Sequence, residues 1–145
     1  MGELESVLTE ESKRSQVVDD TLQLVDEEVA SKKGFSGMAL KTGYKAVKGV
    51  KPGFLRNVVD HLLPEFARAL EPVYEEAKAS GSSVREHFAA NAGRVADALL
   101  GITDAKARKS TNNLVKGTYD KLRGTAKTHV EAAVPRLAAL IGKYV

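Results

Sequence analysis

The segments Lys41-Thr42-Gly43-Tyr44-Lys45-Ala46-Val47-Lys48-Gly49 and Lys116-Gly117-Thr118-Tyr119-Asp120-Lys121-Leu122-Arg123-Gly124 share the pattern K-x-x-Y-x-x-(V/L)-(K/R)-G at an offset of 75 residues. A second correspondence comes after each segment. Val59-Asp60, Leu63-Pro64, Phe66-Ala67 and Leu70 match Val130-Glu131, Val134-Pro135, Leu137-Ala138 and Ile141, now at an offset of 71. The first copy therefore holds four more residues, and Val50–Gly53 has room for them. Helices rich in Ala, Leu and Lys match one another easily by chance. Proline within a helical pattern is rare, and the paired Leu-Pro and Val-Pro favour an internal duplication.

Working outward, apolar spacing predicts helices almost throughout. From Lys13 to Ser31, Val17, Val18, Leu22, Val25 and Val29 form one stripe, and Lys32-Lys33-Gly34 supplies a stop. A shorter helix opens near Ser36 and carries Leu40, Tyr44 and Val47. Its glycines, Gly37, Gly43 and Gly49, suggest close approach to a neighbour. Lys51-Pro52-Gly53 breaks the chain. Phe54 to Ala79 is one stripe interrupted by Pro64 and Pro72, where a proline either kinks a helix or starts a new one. Ser80-Gly81-Ser82 reads as a linker, and Ser83 with Glu86 has capping-box spacing. Thr103-Asp104 reads as the next cap, and Pro135 again marks a kink or restart. The acidic residues 1–12 read as a loose or short helical lead-in anchored only by Leu4, Val7 and Leu8. The expected architecture is an all-α helical bundle of about six helices in one domain. Its possible pseudo-symmetric three-helix halves are 13–79 and 83–145. The expected core includes Val25, Val29, Leu40, Leu62, Phe66, Leu70, Phe88, Val95, Leu99, Leu114, Val130, Leu137 and Ile141.

The 145 residues are enough to bury a substantial core, and an aromatic content of 6% favours helix-on-helix packing over a sandwich. Without cysteine, thiolate nucleophiles and zinc-thiolate sites are excluded, and the composition suits a reducing cytoplasm. The acidic start is the reverse of a targeting segment, and no apolar run approaches the roughly 18–20 residues that span a bilayer. The expectation is a cytoplasmic protein without a transmembrane segment. Charge is strongly segregated. Residues 1–28 hold nine acids against two bases, residues 29–59 hold seven bases and no acid, and the whole chain carries +3.

Signals for chemistry are sparse. His61, His87 and His129 lack metal-ligand spacing and read as rim or surface residues; Glu27-Glu28 and Glu75-Glu76 read as solvated helix faces. No phosphate-cradling glycine loop and no nucleophile elbow occurs. No catalytic residue, cofactor or metal is therefore assigned, and the protein is not expected to be an enzyme. The basic stripes are the one functional hint. Lys41, Lys45 and Lys48, with Lys51 beyond, and Lys109, Lys116 and Arg123, form a candidate polyanion-binding face for nucleic acid or an anionic membrane surface. The same charges also suit pairing with the acidic first helix. Tyr44 and Tyr119 read as core tyrosines whose hydroxyls reach the surface.

The stretch Ser36 to Val73, containing SGMALKTGYKAVKGVKPGF and the start of VVDHLLPEFARALEPVYE, together with LLGITDAKARK at Leu99–Lys109, resembles a family of small uncharacterised bacterial helical proteins. The resemblance implies an all-helical domain and brings no activity, cofactor or catalytic residue. Three functional expectations stand. The first is a non-enzymatic cytoplasmic interaction module with a protein partner. The second is polyanion binding through the lysine faces. The third is a carrier of an apolar small molecule held between the halves.

Overall fold

A computed structural model describes residues 2–145. The described residues form seven helices and no strand: α1 (Glu3–Leu8), α2 (Glu11–Ser31), α3 (Gly34–Lys48), α4 (Phe54–Ser80), α5 (Val84–Ala90), α6 (Ala92–Lys109) and α7 (Asn113–Tyr144). This is the all-α bundle that the apolar spacing predicts. Two prolines lie inside α4 and one inside α7, and none of them ends its helix. Pro64 cannot donate to the Asp60 carbonyl, one turn earlier. Arg14 takes over that acceptor, its Nη2 donating to Asp60 O at 2.7 Å while its Nε donates to Asp60 Oδ1 at 2.8 Å. One side chain thus relieves the proline's missing hydrogen bond and ties α2 to α4.

The two motif copies continue differently. After Gly49 the chain breaks, and Gly53, at φ +75°, leads into α4. After Gly124 the helix runs on, so α7 spans the counterpart of both α3 and α4. The first copy's extra residues lie in that break. Gly43 shows why a small residue is needed in the motif. A Cβ there would lie 2.8 Å from Leu122 Cδ1 and 2.9 Å from Thr118 Cγ2, so α3 and α7 cross closely at this point. Gly81, at φ +71°, ends α4, and the Ser83 hydroxyl accepts from the Glu86 amide as its spacing predicts.

The fold decides one open expectation and corrects two. Of the two alternatives for the lead-in, Glu3–Leu8 is the short helix and not the loose segment. Leu4 is wholly buried, Leu8 nearly so, and the Leu4 amide donates to Glu71 Oε2 at 2.9 Å. Glu3 pairs with Lys78 and Glu5 with Arg68, so α1 is pinned along α4 by both apolar and charged contacts. Thr103-Asp104 is not a cap either. The chain turns instead at Ser110–Asn112, where Asn112 Oδ1 accepts from the Val115 amide. The Thr103 and Asp104 side chains are engaged by Tyr119 and Arg123 of α7. Finally, Leu114 is 52% exposed, because it sits in the first turn of α7 before the helix meets its neighbours.

The tightest packing involves Leu4, Val17, Val18, Val73, Phe88, Val95, Val134 and Ile141, which draw α1, α2, α4, α5, α6 and α7 onto one another. No helix among the described residues is long and apolar enough to cross a membrane.

Candidate functional site

Much of the expected core is only half-buried: Val25, Val29, Leu40, Phe66, Leu99, Val130 and Leu137. The reason is that these residues face a cavity of about 290 Å³ and not one another. Thr21, Leu24, Val25 and Val29 of α2 form one wall. Leu63, Phe66 and Leu70 of α4 form the second, and Val130, Ala133, Leu137 and Leu140 of α7 the third. Leu40 from α3 and Leu99 from α6 add to the lining. Pro64 lies between Leu63 and Phe66, and Pro135 between Ala133 and Leu137. Each helix therefore lacks a backbone hydrogen bond beside the cavity, where a helix is easiest to bend.

Against this apolar lining stand three ionisable groups: Glu28, Lys32 and His129. Lys32 Nζ lies 3.0 Å from Glu28 Oε2, one helical turn away, with side-chain exposures of only 11% and 12%. Glu28 Oε1 meets Arg136 Nε at 3.2 Å, so both carboxylate oxygens are engaged. His129 Nε2 is buried and has no hydrogen-bond partner in the protein. Glu28 is thus not the solvated face its sequence suggests, and His129 is not a rim residue. Both sit within apolar stripes (Val25-Glu28-Val29 and His129-Val130-Ala133), and that placement is the signal that identifies them. Thr21 contributes no free polar group, since its hydroxyl donates to Val17 O one turn back at 2.8 Å.

Desolvation, reinforced by the Lys32 ammonium, holds the His129 imidazole below its ordinary value of 6.5. The folded chain therefore binds fewer protons here than the unfolded chain. The resulting stabilisation is complete above 6.5 and is lost as pH falls through the folded value. Denaturant unfolding of His129→Gln should accordingly show a flatter acid limb than the parent between about pH 7 and about pH 5. An unchanged difference in stability across that range would contradict this environment for His129.

The candidate polyanion face is divided by the fold. Lys41 and Lys45 are exposed on α3, Lys51 lies in the break before α4, and Lys109 and Lys116 flank the α6–α7 turn. None of these five forms an ion pair among the described residues. Lys48 pairs with Asp26 of α2 at 3.6 Å, and Arg123 is bound to Asp104, its Nε donating to Oδ1 at 2.8 Å. Other acids of α2 are also used internally. Asp19 meets Arg56, and Asp20 accepts from Lys143 and Tyr144. Segregated charge along the chain therefore becomes, in part, cross-helix pairing.

The two motif tyrosines have parallel surroundings. Tyr44 Oη donates to Asp26 at 2.5 Å, and Tyr119 Oη donates to Asp104 while meeting Thr103 Oγ1 at 2.7 Å. Each acid also holds the basic residue four positions beyond its tyrosine. Burial, then the hydrogen bond to the acid, raises both phenols above their usual range. Arg123 and Tyr119 in turn lower the Asp104 carboxyl. These are structural clamps, and none of their groups faces the cavity. Among the described residues, no group of three His, Asp or Glu side chains is placed to hold a metal ion.

Fold and cavity together define an all-α bundle with an apolar chamber, partly open to solvent, and a small polar cluster in its wall. The family model for a family of unknown function (DUF6918) matches residues 4–145, and the chain belongs to that family. No curated protein and no solved structure matches the chain.

Proposed function

We propose that this protein binds an apolar small molecule in the chamber between α2, α4 and α7, as a non-enzymatic cytoplasmic carrier. The single observation behind this reading is the cavity itself. Contiguous apolar surface left facing solvent in a concavity is uncommon and marks ligand or partner sites. A chamber of about 290 Å³ lined by Leu, Val, Phe and Ala leaves many favourable contacts unmade. It lies near the lower bound of small-molecule sites, roughly 300–1,000 Å³. An apolar guest would restore those contacts and stabilise the fold by mass action. Mass spectrometry of protein purified without detergent tests this under non-denaturing conditions. A bound apolar molecule, or one equivalent of added decyl alcohol, supports the reading. Protein that takes up neither counts against it.

We also read the two motif copies as an internal duplication with pseudo-twofold halves. Gly43 packs against Thr118, its own counterpart at the offset of 75, as expected where a twofold axis passes. The Tyr44–Asp26–Lys48 and Tyr119–Asp104–Arg123 clamps support the same view.

A second reading has its own observation. Phe35 is 95% exposed and Met38 66% exposed. At 100° per residue, Phe35, Met38, Lys41, Lys45 and Lys48 share one arc of α3 of about 140°, with Leu40 on the other side and Lys48 at the edge, next to Tyr44. Large apolar side chains beside lysines fit an anionic membrane surface better than nucleic acid. Flotation with vesicles containing about 30% phosphatidylserine should recover the protein at low salt, with release as salt rises. Phe35→Ser should cut recovery severalfold. No recovery from anionic vesicles at low salt, or equal binding to DNA by Phe35→Ser and the parent, would count against this face.

A further inference from the structure

We propose that the guest is a single-chain amphiphile with a carboxylate head, received by Lys32 and His129 at the polar cluster of the chamber; this rests on the apolar-guest reading. The inference comes from counting the hydrogen-bonding capacity that the cluster leaves unused. Glu28 is the only acceptor facing the chamber with a charge, and both its oxygens are engaged, one by Lys32 and one by Arg136. Lys32 carries three N–H donors, and its only protein acceptor is Glu28 Oε2. His129 Nε2 has no partner at all, and the imidazole can present an N–H there. Two unmatched donors therefore remain in the chamber, the Lys32 ammonium and the His129 N–H.

A group that matches surplus donors must bring acceptors and no donors of its own. An alcohol brings one acceptor and no charge. An ester brings acceptors without charge. A carboxylate brings two acceptor oxygens, and its bonds to an ammonium are charge-assisted, roughly twice as strong as neutral ones. The local charge tolerates it. Arg136 also reaches Glu27 at 3.4 Å, and Glu27 is half-exposed on the outer surface, where solvent screens it. Glu28 faces two cations, Lys32 on the chamber side and the exposed Arg136 on the other, so a carboxylate at Lys32 still finds Arg136 compensating Glu28. The apolar remainder of the lining then takes the alkyl chain.

Decanoic acid, methyl decanoate and decyl alcohol share one chain length and differ at the head. Calorimetric or NMR titration of the full chain with each should show the acid binding at least about tenfold more tightly than the ester, a difference of about 1.4 kcal/mol. Lys32→Met, in which Arg136 still compensates Glu28, should bring acid and ester within about threefold while the alcohol binds as before. His129→Leu should narrow the preference partway and gives a second variant if Lys32→Met folds poorly. Equal binding of acid and ester by the parent, or an acid preference that survives Lys32→Met, overturns the head-group assignment while leaving the apolar-guest reading standing. Failure of all three probes overturns both.

Discussion

Leu4→Ala should destabilise the protein by about 2–5 kcal/mol, read as a lowered denaturant midpoint with an unchanged slope. Leu4 is wholly buried against α4 although it stands at the second position of the first helix. A six-residue helix has no stability of its own, since nucleation costs more than so few bonds return. Helix α1 exists because Leu4 and Leu8 insert into the core and because Glu71 satisfies the Leu4 amide. Truncating Leu4 removes the larger anchor and leaves a void that α1 cannot close without losing its hydrogen bond. Leu114→Ala makes the control. Its side chain is half-exposed, so the expected change is within about 0.5 kcal/mol. Comparable losses for both variants would mean that α1 is not part of the folded core.

Ala133→Phe carries the second large effect. Ala133 faces the chamber from α7, between the polar cluster at His129 and Leu137. A phenyl group inserted into a packed core typically costs about 1–3 kcal/mol in strain. Inserted into an existing chamber, it finds unused contact surface and should leave thermal stability unchanged or raised. It should also lower affinity for decyl alcohol at least about tenfold, because the aromatic ring occupies the guest's volume. Both outcomes together distinguish a real chamber from a packed interior. A variant that is markedly destabilised, or that binds the probe as tightly as the parent, contradicts the chamber.

Features with local causes were legible in the sequence. The α2 stripe, the stop at Lys32–Gly34, the Gly81 turn and the Ser83 cap each depend on residues a few positions apart. Close approach of α3 to a neighbour was legible from its glycines, although the partner, α7 at Gly43, was not. What escaped depends on distant partners. Glu71 lies 67 residues from the amide it caps on α1, and nothing local to Leu4 announces it. Thr103 and Asp104 have the composition of a cap, yet Tyr119 and Arg123 claim their side chains. The chamber was hidden for a different reason. An apolar stripe reads the same whether it faces side chains or an open volume, so Val25, Phe66 and Leu137 all read as core. Glu28 and His129 stand within such stripes as polar interruptions, yet taken one at a time each reads as a solvent-facing residue. Of the lysine set, only the α3 members acquire new meaning, from the exposed Phe35 and Met38 beside them.

The most direct test is a methyl NMR titration with decyl alcohol, which carries no charge and so reports on the chamber alone. Saturable shifts confined to Val25, Leu40, Leu99, Val130 and Leu137, from five different positions along the chain and absent in Ala133→Phe, are the predicted result. Shifts confined to the exposed Met38 and Leu114, or none at all, would show that the interior admits no guest.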